Sequence, residues 1–173
     1  IEKIGNQIIE LVENYNNRIL ILCTSYDQVK KIKDIIKPTF DNLNRSIFAQ
    51  TIGHSRRAII RGYSNTPSSI LIGTMSFWEG VDLPGELVEL LIIFKIPFDN
   101  PTDPILINEI DNYKNKGKNP FMDFQIPTAT VKFKQGFGRL IRSLNDNGMC
   151  ILTDPRLLKA QYGKFILDAL PLS

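Results

Sequence analysis

The side chains best suited to chemistry lie in one predicted helix, residues 128–144. At 100° per residue, an aromatic and aliphatic stripe around Phe137 falls on one side of that helix, while Gln135, Arg139 and Arg142 fall on the other. The apolar stripe docks the helix on the rest of the protein. The opposite face therefore presents two permanently charged guanidinium groups and an amide.

Two glycines, Gly136 and Gly138, flank this polar row. They permit close approach by a ligand or by another backbone, at a helix-propensity cost of up to about 1 kcal/mol each. The spacing fits a second interpretation equally well: a solvated helix face whose arginines pair with surface carboxylates. The residues by themselves leave both interpretations open.

A second candidate site follows the predicted strand 69–73. Residues 74–85 come where ligands bind in open parallel sheets, beyond the carboxyl ends of the strands. This segment combines Trp78, Glu79 and Asp82 with small residues whose backbone amides can point at an anion. The alternative is a tight loop in which Trp78 fills the core and Glu79 is merely exposed.

A third candidate is the turn after the first predicted strand, at Thr24 and Ser25. A helix that begins here offers free backbone amides, hydroxyl side chains and a favourable macrodipole to a phosphate. Ser25 also suits the commoner role of a plain N-cap, and the sequence does not separate the two.

Apolar runs alternate with amphipathic segments along the chain, as expected of a mainly parallel sheet with helices on both faces. The predicted strands are residues 18–23, 46–50, 69–73, 88–96 and 148–153. The predicted helices are residues 4–15, 25–37, 55–63, 105–115, 128–144 and 157–170. Pro38 should end the second helix, and the three prolines of residues 97–104 require a loop.

The composition is that of one soluble globular domain. The chain has 173 residues, of which 43% are apolar and 23% charged, so it can bury one core. No apolar run approaches the roughly 20 residues of a membrane span, and the first residues do not form a signal segment. We therefore expect a cytoplasmic protein with no membrane partner. Its net charge of +3 permits an anionic partner without requiring one.

Cysteine and histidine are too few for several kinds of site. Cys23 and Cys150 each lie in an apolar run without C-x-x-C spacing, which indicates reduced, buried thiols and no metal site. His54 is the only histidine, so triads that need histidine and multi-histidine zinc sites are excluded.

The motifs together resemble a known family. Trp-Glu-Gly-Val-Asp at 78–82, within 73–85, looks like motif V of the DinG and XPD group of superfamily 2 helicases. Gln-Gly-Phe-Gly-Arg-Leu-Ile-Arg at 135–142 looks like motif VI, and residues 18–26 are similar to motif IV. Further likeness to bacterial DinG proteins extends over nearly all of residues 1–173. The chain is identified as a C-terminal, RecA-like motor domain of that group.

The resemblance implies an ATP site shared between two RecA-like domains. Arg139 and Arg142 would contact the γ-phosphate, and Gln135 would orient the phosphates or the attacking water. Glu79, Gly80 and Asp82 would couple the nucleotide to the strand-binding surface, with Asp82 a partner for a motif VI arginine.

The resemblance also implies a single-stranded DNA partner. Thr24, Ser25 and Thr74 would grip the nucleic-acid backbone without reading its sequence. By the same likeness the whole protein would be a cytoplasmic helicase that hydrolyses ATP and serves DNA repair.

Two sequence features are missing for autonomous activity. The chain has no G-x-x-x-x-G-K-[ST] phosphate loop, and no Asp-Glu pair follows a predicted strand. We expect an inactive fragment whose other RecA-like domain carries the phosphate loop and the Mg²⁺ carboxylates. The alternative function is a nucleic-acid-binding or nuclease-associated module with a vestigial ATPase.

Overall fold

A sheet of five parallel strands organises the part of the chain that the structure describes. The structure is a computed structural model that describes residues 2–13, 15–78, 88–138 and 148–170. The strands are β1 (Ile19–Cys23), β2 (Ile47–Ala49), β3 (Ile70–Thr74), β4 (Leu90–Ile93) and β5 (Met149–Leu152), in the order β2-β3-β1-β4-β5. Each pairing is parallel, as predicted, and each observed strand lies within a few residues of its predicted position.

The helices that connect the strands are mostly the predicted ones. They are α1 (Glu2–Glu13), α2 (Tyr26–Asn42), α3 (Arg56–Asn65), α4 (Met75–Trp78), α5 (Pro104–Asn115), α6 (Ile126–Phe137), α7 (Arg156–Lys159) and α8 (Gln161–Asp168). A π-helical turn, Phe121–Gln125, leads into α6. Among the described residues, no helix combines the length and the apolar character that a bilayer crossing requires.

The chain divides into two compact units. The first, Ile1–Lys95 with Gly136–Thr153, contains the sheet. The second, Ile96–Gln135 with Asp154–Ser173, is helical in its described part.

Alternate strand residues point to opposite faces of the sheet, and both faces are apolar. Helices therefore cover both faces. Ile21 belongs to the core that α1 and α2 form on one face. Leu22 points the other way, where it meets the end of α6 at Gly136. On that same second face, α3 approaches β2 so closely that a Cβ at Gly62 would meet the Phe48 ring.

The second helix does not end at Pro38, so that prediction was wrong. α2 continues through the proline to Asn42. An internal proline costs about 3 kcal/mol or more, because it lacks an N–H and crowds the preceding turn. The extra turn buries the Phe40 ring completely, under the guanidinium of Arg45 at 5.2 Å. Burying an aromatic ring contributes about 1.5–3 kcal/mol, which offsets most of that cost.

Arg45 lies at the end of the sheet where the strands begin, which we call the amino edge; the opposite end, where the strands finish, is the carboxyl edge. Its side chain is only 8% exposed. The guanidinium donates to four backbone carbonyl oxygens: Ser68 at 2.8 Å, Val12 at 3.0 Å, Tyr15 at 2.7 Å and Asn17 at 2.9 Å. One side chain thereby joins the end of α1 to the segments that precede β1 and β3.

In the second unit, the predicted helix 157–170 is broken at Ala160, so the prediction of one continuous helix was wrong. Ala160 is extended, with φ −86° and ψ 143°, and separates α7 from α8. A Cβ at Gly163 would lie 2.2 Å from the carbonyl oxygen of Leu157. The two short helices therefore approach more closely than any residue with a side chain allows.

An ion pair and an aromatic cluster hold the second unit together. The Asp154 carboxylate accepts hydrogen bonds from the Ile96 N–H at 2.9 Å and from Arg156 Nη2 at 2.6 Å. The Arg156 guanidinium also covers the Phe98 ring at 5.3 Å. That ring belongs to a cluster of three aromatic side chains: Phe98, Phe121 and Tyr162.

Candidate functional site

Polar residues gather at the carboxyl ends of three neighbouring strands. Thr24 follows β1, Gln50 follows β2, and Thr74 ends β3. Strands β2, β3 and β1 are adjacent, and Cys23 pairs with Thr74 across β1 and β3. The sheet therefore brings Thr24 and Thr74, predicted from separate motifs, to the same edge.

Ser25 is the N-cap of α2, and its local geometry fits that role. Its backbone is extended, and its Oγ accepts a hydrogen bond from the Gln28 N–H at 3.3 Å. The Gln28 Oε1 accepts in turn from the N–H and the hydroxyl of Thr24, both at 3.0 Å. In a capping box that amide would accept from the N-cap residue itself, so here the box is shifted by one residue. A phosphate-binding role for either residue stays a prediction.

A second glutamine holds Thr74. This threonine is only 5% exposed, and its N–H and hydroxyl donate to Gln50 Oε1 at 2.8 and 2.9 Å. The amide of Gln50 donates from its other side to the Tyr26 hydroxyl at 2.8 Å. The side chain of Gln50 therefore links the end of β3 to the first turn of α2.

These bonds define what the two threonines can do. Each hydroxyl has one proton, and in this structure Thr24 and Thr74 give theirs to a glutamine. To donate to a phosphate oxygen, either hydroxyl has to leave its glutamine acceptor. The amides of Gln28 and Gln50 therefore compete with any anion at this edge.

The sequence reasoning missed the roles of Gln50 and Tyr26. Its one usable signal was a polar side chain directly after a predicted strand, at a position where ligands of parallel sheets bind. The partner of that side chain depends on the strand order, which the sequence pattern does not specify.

Helix α6 has the predicted polarity in its described part. Phe133 and Phe137 are 0% and 2% exposed, whereas Gln135 is exposed. The helix begins at Ile126, two residues earlier than predicted. Arg139 and Arg142 lie outside the described residues.

Gly136 makes a close contact inside the sheet unit. A Cβ on this residue would lie 2.7 Å from Met75 Cε and 3.2 Å from Leu22 Cδ1. The prediction was a close approach by a ligand or another backbone, whereas the atoms that approach Gly136 in the structure belong to two side chains of the same unit. Met75 lies in the predicted motif V segment, 73–85, and Gly136 in the predicted motif VI segment, 135–142, so the described starts of these two segments lie beside each other.

Residues 75–78 of the predicted motif V segment form a short helix that the sequence did not predict. α4 follows β3 directly, and its Phe77 is 4% exposed. The Arg56 guanidinium covers the Phe77 ring at 5.3 Å, which joins the start of α3 to α4. The side chain of Trp78 and the three motif residues Glu79, Gly80 and Asp82 lie outside the described residues.

The described part of the chain offers no cluster of three or more metal-ligating side chains. Cys23 and Cys150 are free, and burial raises the pKa of each thiol to about 12. Both therefore stay protonated at neutral pH, although Cys150 is only half-buried.

Comparisons with known proteins agree with this architecture. A sequence profile of the helicase C-terminal domain family matches residues 8–173. The chain is 39% identical over 155 residues to the 3'-5' exonuclease DinG of Bacillus subtilis, covering 89% of this chain and 17% of that protein. It is 35% identical over 173 residues to the ATP-dependent DNA helicase YoaA of Haemophilus influenzae, covering 100% of this chain and 26% of that protein.

A solved structure of an XPD helicase superposes on this chain with a TM-score of 0.70 at 20% identity. The match covers 99% of this chain and 31% of the XPD chain, and it confirms the predicted RecA-like fold. The chain therefore corresponds to less than a third of each of these three proteins.

Proposed function

Because this chain belongs to the helicase C-terminal domain family, we propose that it is the second motor domain of a DinG-type, ATP-dependent DNA helicase. The observation that supports the proposal is the close approach of Gly136, in the predicted motif VI segment, to Met75, in the predicted motif V segment. In the proposed motor, motif VI contacts the nucleotide and motif V transmits the state of the nucleotide to the strand, so the two motifs have to be neighbours. The compartment of such a bacterial enzyme is the cytoplasm, where the chromosome lies.

In this proposal Arg139 and Arg142 reach an ATP molecule bound by the first RecA-like domain. Charge builds up on the γ-phosphate oxygens in the transition state, and a guanidinium that meets it contributes about 10³ to 10⁵ in rate. Gln135 orients the phosphates or the attacking water, and its exposed position on α6 suits that role. Glu79, Gly80 and Asp82 transmit the state of the nucleotide to the strand.

Thr24, Ser25 and Thr74 contact the backbone of single-stranded DNA in the same proposal. Thr24 and Ser25 are exposed at the carboxyl edge of the sheet. Contacts with phosphate and sugar position a strand without reading its sequence, which suits a motor that must move over any sequence. The buried Thr74 takes part after it has exchanged its bond to Gln50.

The Mg²⁺ that ATP hydrolysis requires is assigned to the other domain. No group of three metal-ligating side chains occurs in the parts of this chain that are described, and the sequence has no phosphate loop. The fragment by itself should neither hydrolyse ATP nor unwind DNA.

The direct test is ATP hydrolysis by the full-length protein, with and without single-stranded DNA, together with unwinding of a duplex that carries a single-stranded tail. The proposal predicts turnover that the strand stimulates and unwinding that requires ATP. A full-length protein that binds the strand and ATP but hydrolyses no ATP would contradict it.

One observation favours a second candidate, a nucleic-acid-binding module of a nuclease with a vestigial ATPase. The Bacillus subtilis relative is named as a 3'-5' exonuclease, at 39% identity. This candidate predicts that the full-length protein degrades DNA equally well without ATP, and that loss of Arg139 leaves degradation unchanged.

A further inference from the structure

The turn that follows β2 exposes an apolar side chain almost completely. Ile52 is 91% exposed, the highest value for any large apolar side chain in the described ranges. The next residue, Gly53, has a φ of +88°, which a residue with a side chain rarely adopts. A contact of 2.9 Å between Thr51 Oγ1 and His54 Nδ1 joins the two ends of the turn.

The turn directly follows a residue of the hydrogen-bond network at the carboxyl edge. Gln50, whose side chain binds Thr74 and Tyr26, directly precedes Thr51. Ile52 therefore projects from the edge to which the proposed function assigns the DNA backbone.

The sequence around this turn carries basic residues and lacks acidic ones. Residues 42–78 contain His54 and four arginines but no Asp or Glu. On α3, Arg57 and Arg61 are exposed, one helical turn apart, and neither has a carboxylate partner among the residues described. In α2, by contrast, Lys31 pairs with Asp27 and Lys37 with Asp41.

A third arginine fixes this helix relative to motif V. The guanidinium of Arg56 covers the ring of Phe77, in the short helix that leads to Glu79. The start of α3 is thereby held next to α4, the helix after which Glu79 follows in the sequence.

We propose that Ile52 packs against a nucleobase of the bound single strand, while Arg57 and Arg61 contact phosphates of the same strand. This inference rests on the proposed function. An unpaired base offers an apolar face, and its backbone offers one negative charge per nucleotide, so a single strand matches an apolar tip flanked by cations.

An acidic protein segment would match the cations but not the tip. Protein interfaces bury about 800 Å² on each partner around a cluster of apolar anchors, and Ile52 is a single side chain on a narrow turn. An isolated exposed isoleucine is ordinary on a protein surface. What distinguishes this one is its place at the carboxyl edge, just before a helix whose Arg57 and Arg61 have no carboxylate partner among the described residues.

The test compares Ile52→Ala with Arg57→Ala in the full-length protein, on two strands of equal length. One strand carries bases, and the other consists of abasic sugars. The control variant is Ile105→Ala, because Ile105 is also strongly exposed, at 76%, but lies in the second unit.

On the strand with bases, Ile52→Ala should weaken affinity about five-fold, the low end of the range for loss of one base-stacking side chain. On the abasic strand the same variant should bind like the wild type. Arg57→Ala should weaken binding to both strands and make the negative slope of log K against log salt less steep by about 0.7, the value for one phosphate contact. Ile105→Ala should change neither affinity.

Equal affinity of Ile52→Ala and wild type on both strands, or an equal loss on both, would overturn the inference. So would a variant that binds strands normally but loses affinity for a polyglutamate peptide, since that result assigns the turn to an acidic protein. Ile52→Thr, which keeps the branched shape of the side chain, is a second variant that tests the same contact with the base. The proposed function fails separately, if the wild type shows no ATP turnover that DNA stimulates.

Discussion

The two edges of the sheet use arginine in opposite ways. At the amino edge, Arg45 is buried and its guanidinium donates to four backbone carbonyl oxygens. At the carboxyl edge, where α3 begins, Arg57 is exposed and has no carboxylate partner among the described residues. The polar side chains of that edge are held by glutamine amides, as at Thr74.

The difference shows how to separate structural from functional cations. A buried guanidinium that gives four of its five N–H groups to carbonyl oxygens has little capacity left for a ligand, however strong its charge. Cations without partners cost little in water and can bind phosphate. The residue type is the same at both edges, and only the partners distinguish the roles.

The largest effect on stability is expected for Arg45→Met. The substitution keeps most of the side-chain volume but leaves four carbonyl groups without their donor, so we expect a loss of about 3 kcal/mol in the free energy of unfolding. Urea unfolding of this chain measures it. Arg57→Met, the matched change at the other edge, should stay within about 0.5 kcal/mol. Equal losses in the two variants would remove the distinction between the edges.

A smaller loss is expected for Gln50→Leu. Leucine fills the space of the amide but cannot accept from the buried N–H and hydroxyl of Thr74, so stability should fall by about 2 kcal/mol. Gln7→Leu, at an exposed position of α1, serves as the control. If both variants unfold at the wild-type urea concentration, the network does not hold the carboxyl edge in place.

Gly136→Ala should cost about 1 kcal/mol, because the new methyl group meets Met75 Cε, the mobile end of a side chain. The second substitution Met75→Ala removes that atom. In the Met75→Ala background, Gly136→Ala should therefore be close to neutral. A cost that stays the same in both backgrounds would contradict the contact between the starts of motifs V and VI.

The smallest effect is the pH dependence of stability at Asp154, whose carboxylate binds the guanidinium of Arg156. Burial raises the pKa of Asp154, but hydrogen bonds from Arg156 and from the N–H groups of Ile96 and Arg156 outweigh it and hold that pKa below its usual range. The carboxylate therefore stabilises the fold above about pH 4, and this contribution is lost as the pH falls further.

Unfolding of Asp154→Asn at pH 7 and at about pH 3 measures this loss. The cost of the substitution should shrink as the pH is lowered. The cost of Arg45→Met should not, because its partners are carbonyl groups that do not titrate in this range. A cost of Asp154→Asn that is the same at both values would show that the carboxylate is not the stabilising form.

The sequence was sufficient for the strands and for the docked face of α6, because both depend on local patterns of apolar residues. It failed at Pro38, where burial of Phe40 outweighs a local penalty, and at Ala160, where the only signal was the nearby Gly163. The hydrogen bonds of Gln50 and of Arg45 depend on which strands are neighbours, and the sequence pattern does not contain that order.

The most direct test of the account is the rate of DNA-stimulated ATP hydrolysis in the full-length protein carrying Arg139→Ala or Arg142→Ala. Lys134→Ala, an exposed cation on α6, is the control and should hydrolyse ATP like the wild type. We expect either arginine variant to lose about 10³-fold or more in turnover while its affinity for single-stranded DNA is retained. Turnover within a few-fold of the wild type in both arginine variants would contradict it.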